Sequence, residues 1–215
     1  MTSPRRDRGA PRRAVRIGIT GPIGCGKSTV AGWLGERPGV VAIDADRVAR
    51  DVLDQGGPAL DAVIVRFGRE YLRPDGELDR AALGRLVFSD PIALRDLEAI
   101  VHPAVRPRVL AAIAEAERGG AEAVLVEAIK LVEGGLANEC DEIWLVACDP
   151  EVQRERLIER GSTPTDGDQR IAAQGDIVGR IRTVVGRVID SSGDLATTLQ
   201  DAQRALEEAL QATRT

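Results

Sequence analysis

The residues Gly21-Pro22-Ile23-Gly24-Cys25-Gly26-Lys27-Ser28 satisfy G-x-x-x-x-G-K-[ST] at every fixed position. Glycines at these points let the backbone fold tightly enough for successive N–H groups to face inward. A helix opening at the lysine adds the positive end of its dipole, so the loop can cradle phosphate oxygens. The expected donors are the N–H groups of Gly24, Cys25, Gly26 and Lys27, with Gly21 at the entry and Thr29 at the exit completing the nucleotide contacts. The Lys27 ammonium suits the β- and γ-phosphates of ATP, and the Ser28 hydroxyl suits Mg2+. Cys25 occupies a position where only the backbone counts, so it reads as a tolerated small residue and not as a nucleophile. The same loop serves motors, switches, transporters and kinases, which leaves the destination of the phosphate open.

Other residues bear on that destination. "AIDADRVAR" puts Asp44 and Asp46 at the carboxyl end of an apolar run, the edge at which open α/β sheets bind ligands. Either carboxylate could accept a hydroxyl proton or help to hold Mg2+, and either could simply cap the helix beginning near Arg47. "VQRERLIER" places Gln153, Arg156 and Arg160 on one helical face, fit to stabilise a transferring phosphoryl group or to be a solvated charged face beside Glu155 and Glu159. His102 is the single histidine, and Pro103 after it could start or kink a helix. Glu127 closes a third apolar run as a second acid for Mg2+ or as a cap.

The elements that must position these residues follow from the pattern of apolar runs. Short runs rich in Val and Ile at 15–19, 40–43, 123–126, 143–147 and 187–189 lack polar alternation and are separated by helix-period segments. That is the pattern of a doubly wound α/β fold whose parallel sheet of about five strands is covered on both faces, a three-layer P-loop arrangement. About 80 residues separate the second run from the third, far more than one crossover needs, so a helical insertion is expected over about 51–119. Helical spacing appears there at 58–67, 79–88 and 90–117, with a turn at "PDGELDR". A helix from 149, the polar "GSTPTDGD" and a second helix from about 169 to 185 read as a lid over about 149–185. Residues 194–213 read as a closing amphipathic helix, and 15–50, 120–148 and 186–215 as the core of one domain.

Bulk properties narrow the class. A net charge of −5 and a scarcity of aromatic residues argue against a nucleic-acid binder. The arginines Arg5, Arg6, Arg8, Arg12 and Arg13 with Pro4 and Pro11 mark residues 1–14 as a disordered tail. Three separated cysteines without a CxxC give neither a zinc site nor a disulfide framework, and no apolar run is long enough to span a membrane. A cytoplasmic protein without membrane or nucleic-acid partners, monomeric or weakly self-associating, is expected.

Taken in order, "GITGPIGCGKSTVA", "IDADRVAR", "GELDRAALGRLVFSD", "LEAIVHPAV", "VEAIKLVEGGL", "DPEVQRERLIER", "RIAAQ" and "VIDSSG" resemble the dephospho-CoA kinase family over about residues 15–210. The resemblance implies an ATP- and Mg2+-dependent kinase that phosphorylates the ribose 3′-hydroxyl of dephospho-CoA. It implies a helical acceptor-binding subdomain and a lid. By the same resemblance Asp46 is the base, Lys27 and Arg156 serve transfer, and Arg160 and Ser191 join the loop residues as nucleotide contacts. Asp44, Asp46, Arg50, Arg80 and His102 are implied on the acceptor side. Ile129 and Lys130 stand where the family usually has Pro and Leu, Gly186 where it has Asp, and Ser191 where it has Asn. A kinase for another small metabolite, such as a nucleoside monophosphate, and a nucleotide-sensing module are the rival readings. The absence of Asn-Lys-x-Asp in the sequence speaks against a guanine-reading switch.

Overall fold

The computed structural model describes residues 13–213. Five parallel strands, β1 (Val15–Thr20), β2 (Val40–Asp44), β3 (Ala123–Glu127), β4 (Glu142–Ala147) and β5 (Arg187–Asp190), lie in the order β2-β3-β1-β4-β5. The strand β3 is buried at every residue, which is why its sequence carries no alternation. On one face α1 (Lys27–Gly35) and α9 (Leu195–Ala212) cover Ile17, Ile19, Leu125, Trp144 and Val146 with Val30, Leu34, Leu206 and Leu210. On the other face α5 (Pro91–Arg118) sets Val109 and Ile113 against Val124 and Val126.

The insertion lies between β2 and β3 as α2 (Ala45–Asp51), α3 (Leu60–Phe67), α4 (Arg80–Ser89) and α5, each within a few residues of the expected bounds where one was drawn. "PDGELDR" makes its turn: the Gly76 N–H donates to the Arg73 carbonyl at 2.9 Å and the Arg73 N–H to the Glu77 carbonyl at 2.8 Å. Pro103 neither starts nor breaks a helix. Although Pro103 and Pro107 each remove one intrahelical donor, Ala99, Pro103 and Pro107 are all exposed, so the carbonyls freed at Ala99 and Pro103 can bond water and α5 continues.

The lid departs from expectation. The helix α6 (Pro150–Glu159) forms as read, but α7 (Pro164–Gln174) begins inside "GSTPTDGD", because the Thr163 hydroxyl accepts from the Asp166 N–H at 3.1 Å and Pro164 fits the first turn. The expected single helix to residue 185 is interrupted at Gly175, with φ +60, after which Asp176 caps the short α8 (Ile177–Ile181). The expected tail lies outside the described residues through Arg12. Ala14 is buried, and Arg13 donates to Asp141 at 2.7 Å, so these two residues belong to the fold.

Candidate active site

The loop from Gly21 to Gly26 passes directly over the carboxyl end of β4. A Cβ at Gly21 would lie 2.1 Å from the Val146 carbonyl oxygen, so only glycine allows the approach. Gly24 and Gly26 take φ of +82 and +84, the left-handed conformation that brings the loop round into α1. Lys27 is 6% exposed and turns back across the loop, donating to the Pro22 carbonyl at 3.1 Å. Burial pushes its pKa below the usual lysine value, opposed by the charges of Glu127 and Asp46. In the first turn of α1, the Ser28 hydroxyl donates to Glu127 at 2.5 Å.

The register of β2 against β3 pairs Asp44 with Glu127, which gathers the acids at one sheet edge. Asp44 takes the capping alternative: its Oδ1 accepts from the Arg47 N–H at 2.8 Å, its Oδ2 lies 3.6 Å from Arg50, and it is absent from the lining of the neighbouring cavity. Glu127, expected as a second acid or a cap, instead faces the Ser28 hydroxyl across the end of the loop. Asp46, in the first turn of α2, accepts from the Ile129 N–H at 3.3 Å and lines that cavity. Burial raises the pKa of both Asp46 and Glu127, while Lys27 and the respective hydrogen bonds pull them back.

The cavity, about 320 Å³, opens between α2, α5 and the segment after β3. Asp46, Arg50, Arg80, His102 and Lys130 line it, over apolar walls such as Leu97. The sequence-predicted acceptor residues thus converge, with the exception of Asp44. Arg80 is held by the Arg50 carbonyl at 2.7 Å and by Asp54 at 2.6 Å. Burial lowers the pKa of half-buried His102. The departures at 129 and 130 are accommodated: Ile129 packs on the apolar cluster of Leu145, Ile177 and Ile181, and Lys130 pairs with Glu98. Gly186 donates to the Ile143 carbonyl at 2.9 Å.

From α6, Arg156 reaches over the loop: its guanidinium donates to the Ser191 carbonyl at 2.7 Å, and a Cβ at Gly26 would lie 3.9 Å from its Nη1. Arg160 is exposed at the end of α6, close enough for its charge to depress the Lys27 pKa further. Ser191 is buried, its hydroxyl 2.7 Å from the Cys25 carbonyl and 3.0 Å from that of Ala147. It therefore fixes the loop from beneath instead of presenting a hydroxyl outward. Both backbone groups of Ile23 are engaged by α6 and α7: its carbonyl accepts from buried Gln153 at 2.7 Å and its N–H donates to the Gln174 side chain at 2.8 Å. Gln174 was visible in sequence only as the end of "RIAAQ", with no spacing to mark its partner.

A glycine-rich loop over the sheet edge, buried Glu127, Arg156 on α6 and a cavity lined by Asp46 match the chemical layout of a small-molecule kinase. The family model for dephospho-CoA kinase matches residues 15–197. A dephospho-CoA kinase of Symbiobacterium thermophilum is 43% identical over 190 residues, covering 88% of this chain and 79% of that protein. One of Geobacter metallireducens is 50% identical over 159 residues, 74% of this chain and 79% of that protein. Among solved structures, TT1252 from Thermus thermophilus superposes with a TM-score of 0.74 at 33% identity, covering 92% of this chain and 98% of the other. A shikimate kinase from Bacteroides thetaiotaomicron shares the fold alone, with a TM-score of 0.51 at 19% identity. With its site assembled on that fold and its sequence matched along most of its length, the chain belongs to the dephospho-CoA kinase family.

Proposed function

We propose that the protein transfers the γ-phosphoryl group of ATP to the ribose 3′-hydroxyl of dephospho-CoA, giving coenzyme A, as a cytoplasmic enzyme whose site is complete within one chain. The carrying observation is the placement of Asp46, whose carboxylate lines the acceptor cavity while its charge is felt by the phosphate-loop lysine. That position suits a base between donor and acceptor. Asp46 accepts the hydroxyl proton, Arg50, Arg80 and His102 orient the acceptor, and the loop N–H groups with Lys27 hold the donor's phosphates. Arg156 stabilises charge on the transferring group as the lid excludes water.

The donor set fits Mg2+. Ser28 and Glu127 offer hard oxygen ligands side by side, and no group of three His, Cys, Asp or Glu side chains among the described residues could hold an ion unaided. That is the pattern expected of a cation that keeps waters and shares phosphate oxygens. When bound, Mg2+ neutralises charge on the β- and γ-phosphate oxygens. Among the described residues no helix is long and apolar enough to cross a membrane.

Incubation with MgATP and dephospho-CoA, beside AMP, CMP, gluconate and shikimate, tests the proposal. Phosphate gain at the 3′ position of dephospho-CoA, seen by mass spectrometry and 31P NMR, is expected. Preferred phosphorylation of another acceptor, or ATP binding with no acceptor used, would reject it.

A further inference from the structure

Beneath the phosphate loop two cysteines face each other. The loop that carries Cys25 lies directly on the end of β4 that leads into Cys148, a Cβ at Gly21 falling 2.1 Å from the Val146 carbonyl oxygen, and the two thiols are near enough for each to shift the other's pKa. Cys25 is 0% exposed, whereas Cys148, following β4, is partly exposed. The Ser191 hydroxyl lies within 2.7 Å of the Cys25 carbonyl and 3.0 Å of the Ala147 carbonyl, so it ties together the two backbone segments that carry the pair. The environments of the two sulfurs are unequal. The neighbouring Cys25 lowers the pKa of Cys148, and Arg156 and Ser191 add to that, while Cys148 and burial push Cys25 up. Cys148 is thus the reactive thiolate and Cys25 the protonated partner waiting behind it. Cys140 differs, being pushed up to about 12 by burial and bonded to the Leu136 carbonyl.

We propose that Cys25 and Cys148 form a reversible disulfide, with a peroxide as oxidant, that switches off nucleotide binding by locking the phosphate loop onto the end of β4. The switch rests on the reading of this loop as the ATP cradle. In the first step the Cys148 thiolate attacks a peroxide oxygen: an S–O bond forms, the O–O bond breaks, and the departing hydroxide leaves as water after taking a proton. In the second, the Cys25 sulfur attacks the Cys148 sulfenic acid: the S–S bond forms, the S–O bond breaks, and the Cys25 proton leaves with the hydroxyl as a second water. Two thiols lose two electrons and two protons, and hydrogen peroxide becomes two waters. The cradle needs the Cys25 N–H aimed at the phosphate, so drawing the Cys25 side chain onto Cys148 displaces a donor that the nucleotide requires.

The test treats the full chain with hydrogen peroxide, maps disulfides by non-reducing peptide mass spectrometry and measures ATP affinity by calorimetry. A Cys25–Cys148 linked peptide and an ATP affinity lowered about tenfold or more, the scale of one charge-assisted hydrogen bond, are expected. Dithiothreitol should reverse both. Cys148→Ser and Cys148→Ala should keep reduced-state affinity and resist peroxide. Over-oxidised Cys148 without the linked peptide, or a linked peptide with unchanged ATP affinity, would overturn the proposal. The mapping reads the disulfide independently of activity. A reduced protein that binds no ATP would overturn the cradle and the switch together. One that binds ATP but leaves dephospho-CoA untouched would overturn only the acceptor assignment, and the expected peroxide result would then still support the switch.

Discussion

The Ser28 hydroxyl donates to Glu127 across 2.5 Å, joining the first turn of α1 to the last residue of β3. Because both side chains serve one proposed cation site, their removal should not be additive. Ser28→Ala and Glu127→Gln should each raise the Mg2+ concentration giving half-maximal activity about 10- to 100-fold, the usual cost of disturbing a metal site's oxygen groups. The double variant should be little worse than the poorer single one. Mg2+ titration of initial rates for the four proteins checks this, and full additivity would separate the two residues.

Asp46→Asn should retain ATP affinity and lose about two to four orders of magnitude in kcat, the range for a general base. The pH dependence has a definite sign. Burial raises the Asp46 pKa, so the active carboxylate form is lost, as pH falls, above the usual aspartate range. For stability, a raised folded-state pKa makes Asp46 favourable below its unfolded value, and that contribution is lost as pH rises through the folded value. The neutral Asn should therefore raise Tm at pH 7 and give no advantage near pH 3. A kcat profile and calorimetry at the two pH values measure both effects.

Arg80 and Arg156 should fail differently. Arg80 lies in the acceptor cavity, so Arg80→Ala should raise KM for dephospho-CoA about tenfold, the value of one hydrogen bond to a charged group, with KM for ATP nearly unchanged. Arg156 sits over the loop and is proposed to serve the transfer step, so Arg156→Ala should cut kcat about 100- to 1000-fold with little change in acceptor KM. Steady-state kinetics varying each substrate in turn distinguish the pair.

Two glycine substitutions should have opposite signs. Gly21→Ala forces a Cβ to within 2.1 Å of the Val146 carbonyl and should cost about 3 kcal/mol, the scale of overpacking with backbone strain. Gly32 lies within α1 with nothing within 4 Å of its would-be Cβ. Gly32→Ala should therefore stabilise by about 0.5–1 kcal/mol and raise Tm by roughly 1–4 °C. Thermal melts of both variants check the contrast.

What sequence made legible depended on the range of the interaction concerned. Strands β1, β3 and β4 could be read because burial on both faces leaves an unbroken apolar run, the half-exposed edge strands β2 and β5 because their runs are rich in Val and Ile, and the insertion because a crossover has a limited length. The loop glycines were legible because their spacing is local, whereas spacing alone left the Arg156 face open between a phosphoryl contact and a solvated surface. Asp44 stayed ambiguous between cap and ligand, since both need an acid at the same place, and only the Arg47 N–H at 2.8 Å decided it. The break at Gly175 was hidden by polar residues that suit loop and helix alike. Ser191 and Gln174 were the least legible, because their partners Cys25 and Ile23 lie 166 and 151 residues away in sequence.

The engagement of Ile23 bears on the order of events during a catalytic cycle. Its carbonyl and its N–H are both held by lid side chains, Gln153 and Gln174. Retracting those side chains from Ile23 uncovers the apex of the cradle and costs two hydrogen bonds in the same motion. Under the proposed lid motion, uncovering the loop and swinging α6 and α7 away become a single event, because the same two side chains hold both backbone groups of one loop residue.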